Sequence, residues 1–320
     1  MDNKKWFKDA KFGMMVHWGL YSLLGGEWKG KRVEAIAEWI QHTFRIPVKE
    51  YEKLAKAFNP IYFNAQEWVD LAKDAGMQYM VVTAKHHDGF CMYHTKVDKW
   101  NIVDATPFKR DVIKELAECC YKNGMKFGIY YSQEMDWHEP NGAGKVWPAD
   151  EKLKNTVYWE NDWDYPIGNK DFSQCFNDKI KPQLKELLTE YGDLCLIWFD
   201  NPDVITHQQS KELVDMVKKY QPNCLINSRI GNGLGDYHST GDNLIDEEIK
   251  DGELADCPAT MNGSWGFNYF DNSWKSVDEI CRIKEHLNAR GVNYLLNVGP
   301  DGLGRIPAPA IDILKEVGKR

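Results

Sequence analysis

The chain has 320 residues, 43% of them hydrophobic and 13% aromatic, and its formal net charge at pH 7 is −8. That composition supports a large core and excludes a disordered chain. The acidic balance argues against a nucleic-acid partner, because binding to phosphates depends on basic patches. No apolar run approaches the ~20 residues of a membrane helix, and the N-terminus lacks the apolar core of a signal peptide. We therefore expect a cytoplasmic protein that makes no membrane contact.

Strand-like and helix-like runs alternate along the chain. In chain order, the patterns predict a strand over 12–16, a helix over 66–75, a strand over 79–83, a helix over 110–122, a strand over 127–131, a helix over 180–191, a strand over 194–199, a helix over 210–220, a strand over 224–226, a helix over 277–287, a strand over 294–296 and a helix over 310–317. Repeated strand-then-helix units are typical of a parallel sheet with helices outside it.

Polar residues follow several of the predicted strands. They are His17, His86-His87-Asp88, Tyr131-Ser132, Asp200 and Asn227-Ser228-Arg229. In a closed barrel the carboxyl ends of all strands meet at one mouth, whereas an open sheet concentrates such residues at one switch point. The pattern therefore favours the α/β class and a single (β/α)8-like (TIM-type) barrel domain over residues 1–320.

Four of these residues suggest specific chemistry. Asp200 ends the most apolar strand, where a rigidly held carboxylate suits a nucleophile, although it could instead cap the following turn. His86 and His87 are better suited to hydrogen bonding with a polar substrate than to a metal, since adjacent strand residues point to opposite faces and no third ligand is near. For Arg229, contact with a sugar hydroxyl or a carboxylate is favoured over a surface ion pair. The 13 Trp, 15 Tyr and 13 Phe suit either a large core or rings that stack on a sugar.

Glycoside cleavage needs a second carboxyl beside the first. It must come from the loop-rich segment 230–275, and the pattern alone does not choose among the candidates there. They are Asp242, Asp246, Glu247, Glu248 and Asp256.

Several stretches together resemble the α-L-fucosidases of glycoside hydrolase family 29. The resemblance runs from about residue 6 to the end of the chain. The matching stretches are 6–13 (WFKDAKFG), 16–19 (VHWG), 38–39 (EW), 83–90 (TAKHHDGF), 104–106 (DAT), 128–132 (GIYYS), 198–200 (WFD), 260–266 (TMNGSWG) and 293–302 (NYLLNVGPDG).

The resemblance implies a retaining exo-α-L-fucosidase that forms a covalent fucosyl-enzyme on Asp200. It implies a fucosylated oligosaccharide or glycoconjugate as substrate, with no metal and no cofactor, and leaves the oligomeric state open. Many members carry a C-terminal β-sandwich, which we do not expect in this chain. The residues implied to contact fucose are His17, Glu38, Trp39, His86, His87, Tyr131, Trp198 and Arg229, with Trp265 against the methyl group of the sugar.

The chain departs from the family at the expected acid/base. Where members often carry a Trp-Glu pair, it has Ala255-Asp256. The segment 241–248 (GDNLIDEE) resembles the family's Gly-Asp-Tyr…Pro-Glu segment and implies Glu247 as the acid/base, with Glu248 and Asp256 as alternatives. The departure keeps open a fucose-binding protein with lost or weak catalysis, and a hydrolase of a related sugar such as a galactoside is a second alternative.

Overall fold

The computed structural model describes residues 3–142, 161–166, 170–250 and 252–320. Within them, eight strands form one parallel sheet: β1 (Phe12–Val16), β2 (Tyr79–Lys85), β3 (Lys126–Tyr131), β4 (Leu196–Phe199), β5 (Leu225–Ile226), β6 (His238–Ser239), β7 (Ala255–Thr260) and β8 (Val292–Val298). Their order is β5-β4-β3-β2-β1-β8-β7-β6, and a parallel bridge between Asn227 and Tyr237 joins the two edges. This ring of parallel strands confirms the predicted barrel.

Helices cover the outside of the sheet. Those of the described residues span Asn3–Ala10, Tyr21–Leu24, Ile40–Thr43, Val48–Ala55, Ala65–Asp74, Ile102–Ala105, Val112–Lys122, Phe172–Cys175, Lys181–Glu190, His207–Tyr220, Val277–Ala289 and Ala308–Val317. Shorter 3-10 turns lie at Ala37–Trp39 and Ser228–Ile230, a π-helical turn lies at Phe176–Ile180, and Glu27–Trp28 pairs with Lys31–Arg32. No helix in this part of the chain is long and apolar enough to cross a membrane.

β7 is the long strand that the sequence pattern does not predict. Its sequence, ADCPAT, contains an Asp and a Pro, both of which are rare in central strands. The proline fits because β6 pairs only with Ala255 and Asp256, so Pro258 lies beyond the end of β6. The carbonyl of Pro258 accepts a hydrogen bond from the Asn243 amide instead, at 2.9 Å.

The strands divide the core into two layers, and the division decides which side chains reach the mouth. On β4, Ile197 and Phe199 pack outward against the helices, while Leu196 and Trp198 point into the barrel. Because side chains alternate along a strand, Asp200 continues the inward row at the carboxyl end of β4. The same alternation on β1 brings His17 inward, two residues after Met15.

Candidate active site

A cavity of about 180 Å³ opens at the carboxyl ends of the strands. Nine residues expected at the site from the sequence line it: His17, Glu38, Trp39, His86, His87, Trp198, Asp200, Arg229 and Trp265. Met15, Ile36, Tyr130, Asn201 and Asp242 complete the lining. Seven strands or their following loops contribute, so the barrel assembles into one cavity residues that are up to about 250 positions apart in the chain.

Asp200 is held at the base of the cavity by four hydrogen bonds. Its Oδ1 accepts from Arg229 Nη1 at 2.9 Å and from the Asn201 amide at 3.0 Å. Its Oδ2 accepts from the Tyr130 hydroxyl at 2.8 Å and from Asn201 Nδ2 at 3.3 Å. Burial alone would raise the pKa of the Asp200 carboxyl, but Arg229 and His87 outweigh it, so the pKa lies below its usual value. Asp200 is therefore ionised at neutral pH.

Arg229 joins two carboxylates. While Nη1 binds Asp200, Nη2 donates to Asp242 Oδ1 at 2.6 Å and to the Thr240 carbonyl at 2.8 Å. The guanidinium also lies over the Trp198 ring, 4.5 Å from its centroid. Burial disfavours its charge, but the two aspartates raise the pKa of Arg229 further above its already high value. The planar fork of an arginine suits such bridging, which an ammonium ion cannot reproduce.

The histidines of the cavity are mostly neutral. Burial lowers the pKa of His17 to about 4, although Asn297 Oδ1 lies 2.7 Å from its Nδ1. The pKa of His86 is also lowered, by burial and then by its neighbours His87 and His17. In the described part of the chain, His86 Nδ1 has no hydrogen-bond partner. A neutral imidazole can both donate and accept, which suits a ligand rich in hydroxyl groups.

Glu38 is a third carboxyl in the cavity, and it is almost fully buried. Burial raises its pKa to about 7, despite hydrogen bonds from the Gly266 amide at 2.8 Å and from Ser264 Oγ at 3.4 Å. These bonds fix the loop that places Trp265 in the cavity wall. Glu38 can therefore be partly protonated at neutral pH and can donate or accept a hydrogen bond.

The expected placement of Tyr131 in the cavity is wrong. β3 directs the Tyr131 ring outward, where its hydroxyl donates to Gln183 Oε1 at 2.8 Å. Its neighbour Tyr130 points into the barrel and reaches Asp200. Strand alternation in the sequence could have identified Tyr130 as the inward residue. When one residue of an adjacent Tyr-Tyr pair faces the helices, the other faces the barrel interior.

The expected placement of Glu247 in the cavity is also wrong. It is not among the described residues that line the cavity, because its carboxylate turns back to His238 Nε2 and to the Gly241 amide, each at 2.7 Å. Burial opposes its ionisation, but these hydrogen bonds lower its pKa, contrary to the need of a proton donor. Asp242, left among the candidates by the sequence, lines the cavity instead.

The other acid/base candidates also lie elsewhere. Asp246 and Glu248 are exposed, and Asp246 pairs with His286 at 3.0 Å. Asp256 is fully buried inside the barrel, where it accepts from Ser239 Oγ at 2.5 Å and from Trp198 Nε1 at 3.3 Å. Burial raises its pKa to about 6. Among the described residues, Trp198 lines the cavity and its partner Asp256 does not.

The described residues contain no group of three or more His, Cys, Asp or Glu arranged to hold a metal ion. A pair of carboxyl groups beside the substrate is the catalytic machinery of most glycoside hydrolases. Here Asp200 and Asp242 form such a pair at the barrel mouth, both bound to the Arg229 guanidinium. The fold and the site therefore define a glycoside hydrolase. The sequence profile of the alpha-L-fucosidase family matches residues 1–319. The chain belongs to that family.

Individual relatives agree with this assignment. The chain is 53% identical to the alpha-L-fucosidase AlfC from Lactobacillus casei, whose structure with the product alpha-L-fucose superposes with a TM-score of 0.92 over 100% of this chain and 98% of that one. Variants of AlfC have been solved with Fucα(1,6)GlcNAc and with 4-nitrophenyl α-L-fucopyranoside. The tissue alpha-L-fucosidase of Rattus norvegicus is 30% identical over 98% of this chain and 67% of its own length. The chain thus spans about two thirds of the curated relatives it matches.

Proposed function

We propose that the chain hydrolyses terminal α-L-fucosides with retention, using Asp200 as nucleophile and Asp242 as acid/base. The observation that carries the assignment is the single Arg229 guanidinium bound to both carboxylates. One guanidinium thus contacts Asp200 Oδ1 at 2.9 Å and Asp242 Oδ1 at 2.6 Å, which suits the covalent mechanism, in which retaining enzymes hold the two carboxyl groups about 5–5.5 Å apart.

Exposure distinguishes the roles of the carboxyls. The Asp200 side chain is only 12% exposed, whereas that of Asp242 is 47% exposed. The leaving group of an exo-enzyme departs toward solvent, so its proton donor belongs at the mouth, where Asp242 lies. Glu38 lies deeper and is assigned to a sugar hydroxyl, together with His17 and His86. Trp265 is assigned to the apolar edge of the sugar.

The chemistry then takes two steps. A carboxylate oxygen of Asp200 attacks the anomeric carbon, the bond to the leaving oxygen breaks, and Asp242 gives its proton to that oxygen. In the second step, the Asp242 carboxylate takes a proton from water, the water oxygen attacks the anomeric carbon, and the ester to Asp200 breaks. Arg229 favours the ionised form of Asp200, which is the form in which Asp200 attacks.

The missing Trp-Glu pair left open a fucose-binding protein with lost or weak catalysis. With Asp242 as the acid/base, the proposed function does not need that pair. We propose fucose linked to N-acetylglucosamine as the substrate class. The support is a structure of an AlfC variant in complex with Fucα(1,6)GlcNAc, to which the chain is 51% identical. The same cavity would accept an aryl fucoside.

The test follows the anomeric proton of the first-formed product by NMR during hydrolysis of 4-nitrophenyl α-L-fucoside. We expect α-L-fucose first. Asp200→Ala should lower kcat by several orders of magnitude, and azide should restore part of it as the β-fucosyl azide. Release of β-L-fucose by the unmodified protein, or more than a few per cent of activity in Asp200→Ala, would contradict the proposal.

A further inference from the structure

Asp242 lies in a loop that another carboxylate closes. We call residues 241–247 the Asp242 loop. At its end, Glu247 reaches back six residues, and its Oε2 accepts from the Gly241 amide at 2.7 Å. Its Oε1 lies 2.7 Å from His238 Nε2, on β6. Both carboxylate oxygens of Glu247 are therefore engaged in holding the two ends of the loop to the barrel.

The bond to Gly241 acts on the peptide unit between Thr240 and Gly241, one unit before the peptide that joins Gly241 to Asp242. The carbonyl of that unit, Thr240 O, accepts from Arg229 Nη2, and its N–H donates to Glu247. A peptide unit is planar, so two hydrogen bonds from opposite sides fix its orientation. The fixed peptide is separated from Asp242 only by Gly241, and Asp242 Oδ1 accepts from the same Arg229 nitrogen that binds the Thr240 carbonyl.

The remainder of the loop is anchored independently of Glu247's side chain. Asn243 Oδ1 accepts from the Thr260 amide at 3.0 Å, and Arg290 Nη1 donates to the Ile245 carbonyl at 2.7 Å. Loss of the Glu247 carboxylate should thus displace the 240–241 peptide without unfolding the loop. The effect should be felt at Asp242 and not at Asp200, which is fixed by its own strand.

We propose that Glu247, supported by His238, is a positioning residue for the proton-donating carboxyl of Asp242. The inference rests on the proposed function, in which Asp242 is the acid/base. It explains why a glutamate occurs at this place in the loop although its carboxylate faces away from the cavity.

The test compares two substrates in the unmodified protein and three variants. Fucα(1,6)GlcNAc needs a proton at its leaving oxygen, while 4-nitrophenyl α-L-fucoside needs little help. We expect Glu247→Ala to lower kcat about tenfold on the disaccharide, as misplacement of a reacting group does, and to leave kcat on the aryl fucoside nearly unchanged. Glu247→Gln should recover most of the loss, since its amide oxygen can still accept from Gly241. The exposed Glu253→Ala serves as the matched control and should behave as the unmodified protein on both substrates.

A double-mutant cycle separates positioning from a general structural effect. In an Asp242→Asn background, adding Glu247→Ala should cause no further loss on the disaccharide. A further loss there, equal losses on both substrates, or a loss in Glu247→Ala as large as that in Asp242→Asn would overturn the inference. If Glu247→Ala does not fold, as judged by its thermal transition, His238→Ala replaces it. We expect His238→Ala to lower kcat on the disaccharide, by less than Glu247→Ala would, and to leave kcat on the aryl fucoside nearly unchanged. An unchanged ratio of the two kcat values in His238→Ala would likewise overturn the inference. Failure of the unmodified protein to cleave either fucoside would instead refute the proposed function and this inference with it.

Discussion

Replacement of Arg229 by Met should test the centre of the site, because one guanidinium serves both carboxylates. The substitution keeps most of the side-chain volume against Trp198 and removes the charge. A hydrogen bond to a charged group contributes about 1.5–3 kcal/mol, and tenfold in rate corresponds to about 1.4 kcal/mol. Loss of the bond to Asp200 alone is therefore expected to lower kcat/KM by roughly 10- to 150-fold.

The same substitution should move the pH profile. Arg229 lowers the pKa of Asp200, so its removal should raise that pKa and shift the acid limb of kcat/KM to higher pH. The assay is hydrolysis of 4-nitrophenyl α-L-fucoside between pH 4 and 8. Arg282→Met, at an exposed helix position, is the control and should leave the profile unchanged. Activity that falls in Arg229→Met while the acid limb stays in place would refute the role assigned to this arginine.

Three further outcomes are expected. Tyr130→Phe should lower kcat/KM roughly 10- to 150-fold through loss of its bond to the ionised Asp200. Tyr131→Phe should keep activity within about threefold and lose about 1 kcal/mol of stability by denaturant unfolding, and the reverse order would contradict the assigned orientations. Because burial raises the pKa of Glu38 from its ordinary 4.5 to about 7, the folded state holds this proton more tightly, so the stability of the protein relative to Glu38→Gln should fall as pH rises through that window. A difference in the free energy of unfolding that does not change between pH 5 and 8 would exclude this. Asp136→Asn should lower the free energy of unfolding, measured by urea denaturation, by about 3–5 kcal/mol. The reason is that the buried Asp136 lies 2.9 Å from Lys179 Nζ and 3.3 Å from Lys85 Nζ. A loss below about 1 kcal/mol would show that these lysines find other partners.

Much of the barrel could be predicted from the sequence because its strands are buried on both faces. Runs such as 194–199 contain almost only apolar residues, which is typical of parallel strands under helices. β7 could not be found in this way. Its Asp256 and Pro258 are tolerated because Ser239 and Trp198 satisfy the carboxyl, and because β6 ends before the proline. Both conditions depend on residues distant in the chain.

The error at Tyr131 has a different origin. The matching stretch 128–132 (GIYYS) contains two adjacent tyrosines, and only one of two adjacent strand residues can face the barrel interior. The inward row on β3 contains Gly128 and Tyr130, and Gly128 is small because a Cβ there would lie 2.9 Å from the Leu196 carbonyl oxygen of β4. Period-two alternation from such a position would have selected Tyr130.

The two carboxylates show where prediction from the sequence ends. Asp200 follows a strand, so the direction of its side chain is set by alternation that begins several residues earlier, and the sequence shows that alternation. Asp242 lies in a loop whose path depends on contacts with Arg229, Thr260, Glu247 and Arg290. Those contacts form only in the folded protein, and none of them produces a periodic pattern in the sequence. In the acidic segment 241–248, the family resemblance implied Glu247, yet the Glu247 carboxylate folds back to bind His238 and the Gly241 amide of its own loop. Asp242 binds Arg229 in the cavity instead, so the carboxylate that meets the cavity is decided by contacts that only the folded loop makes.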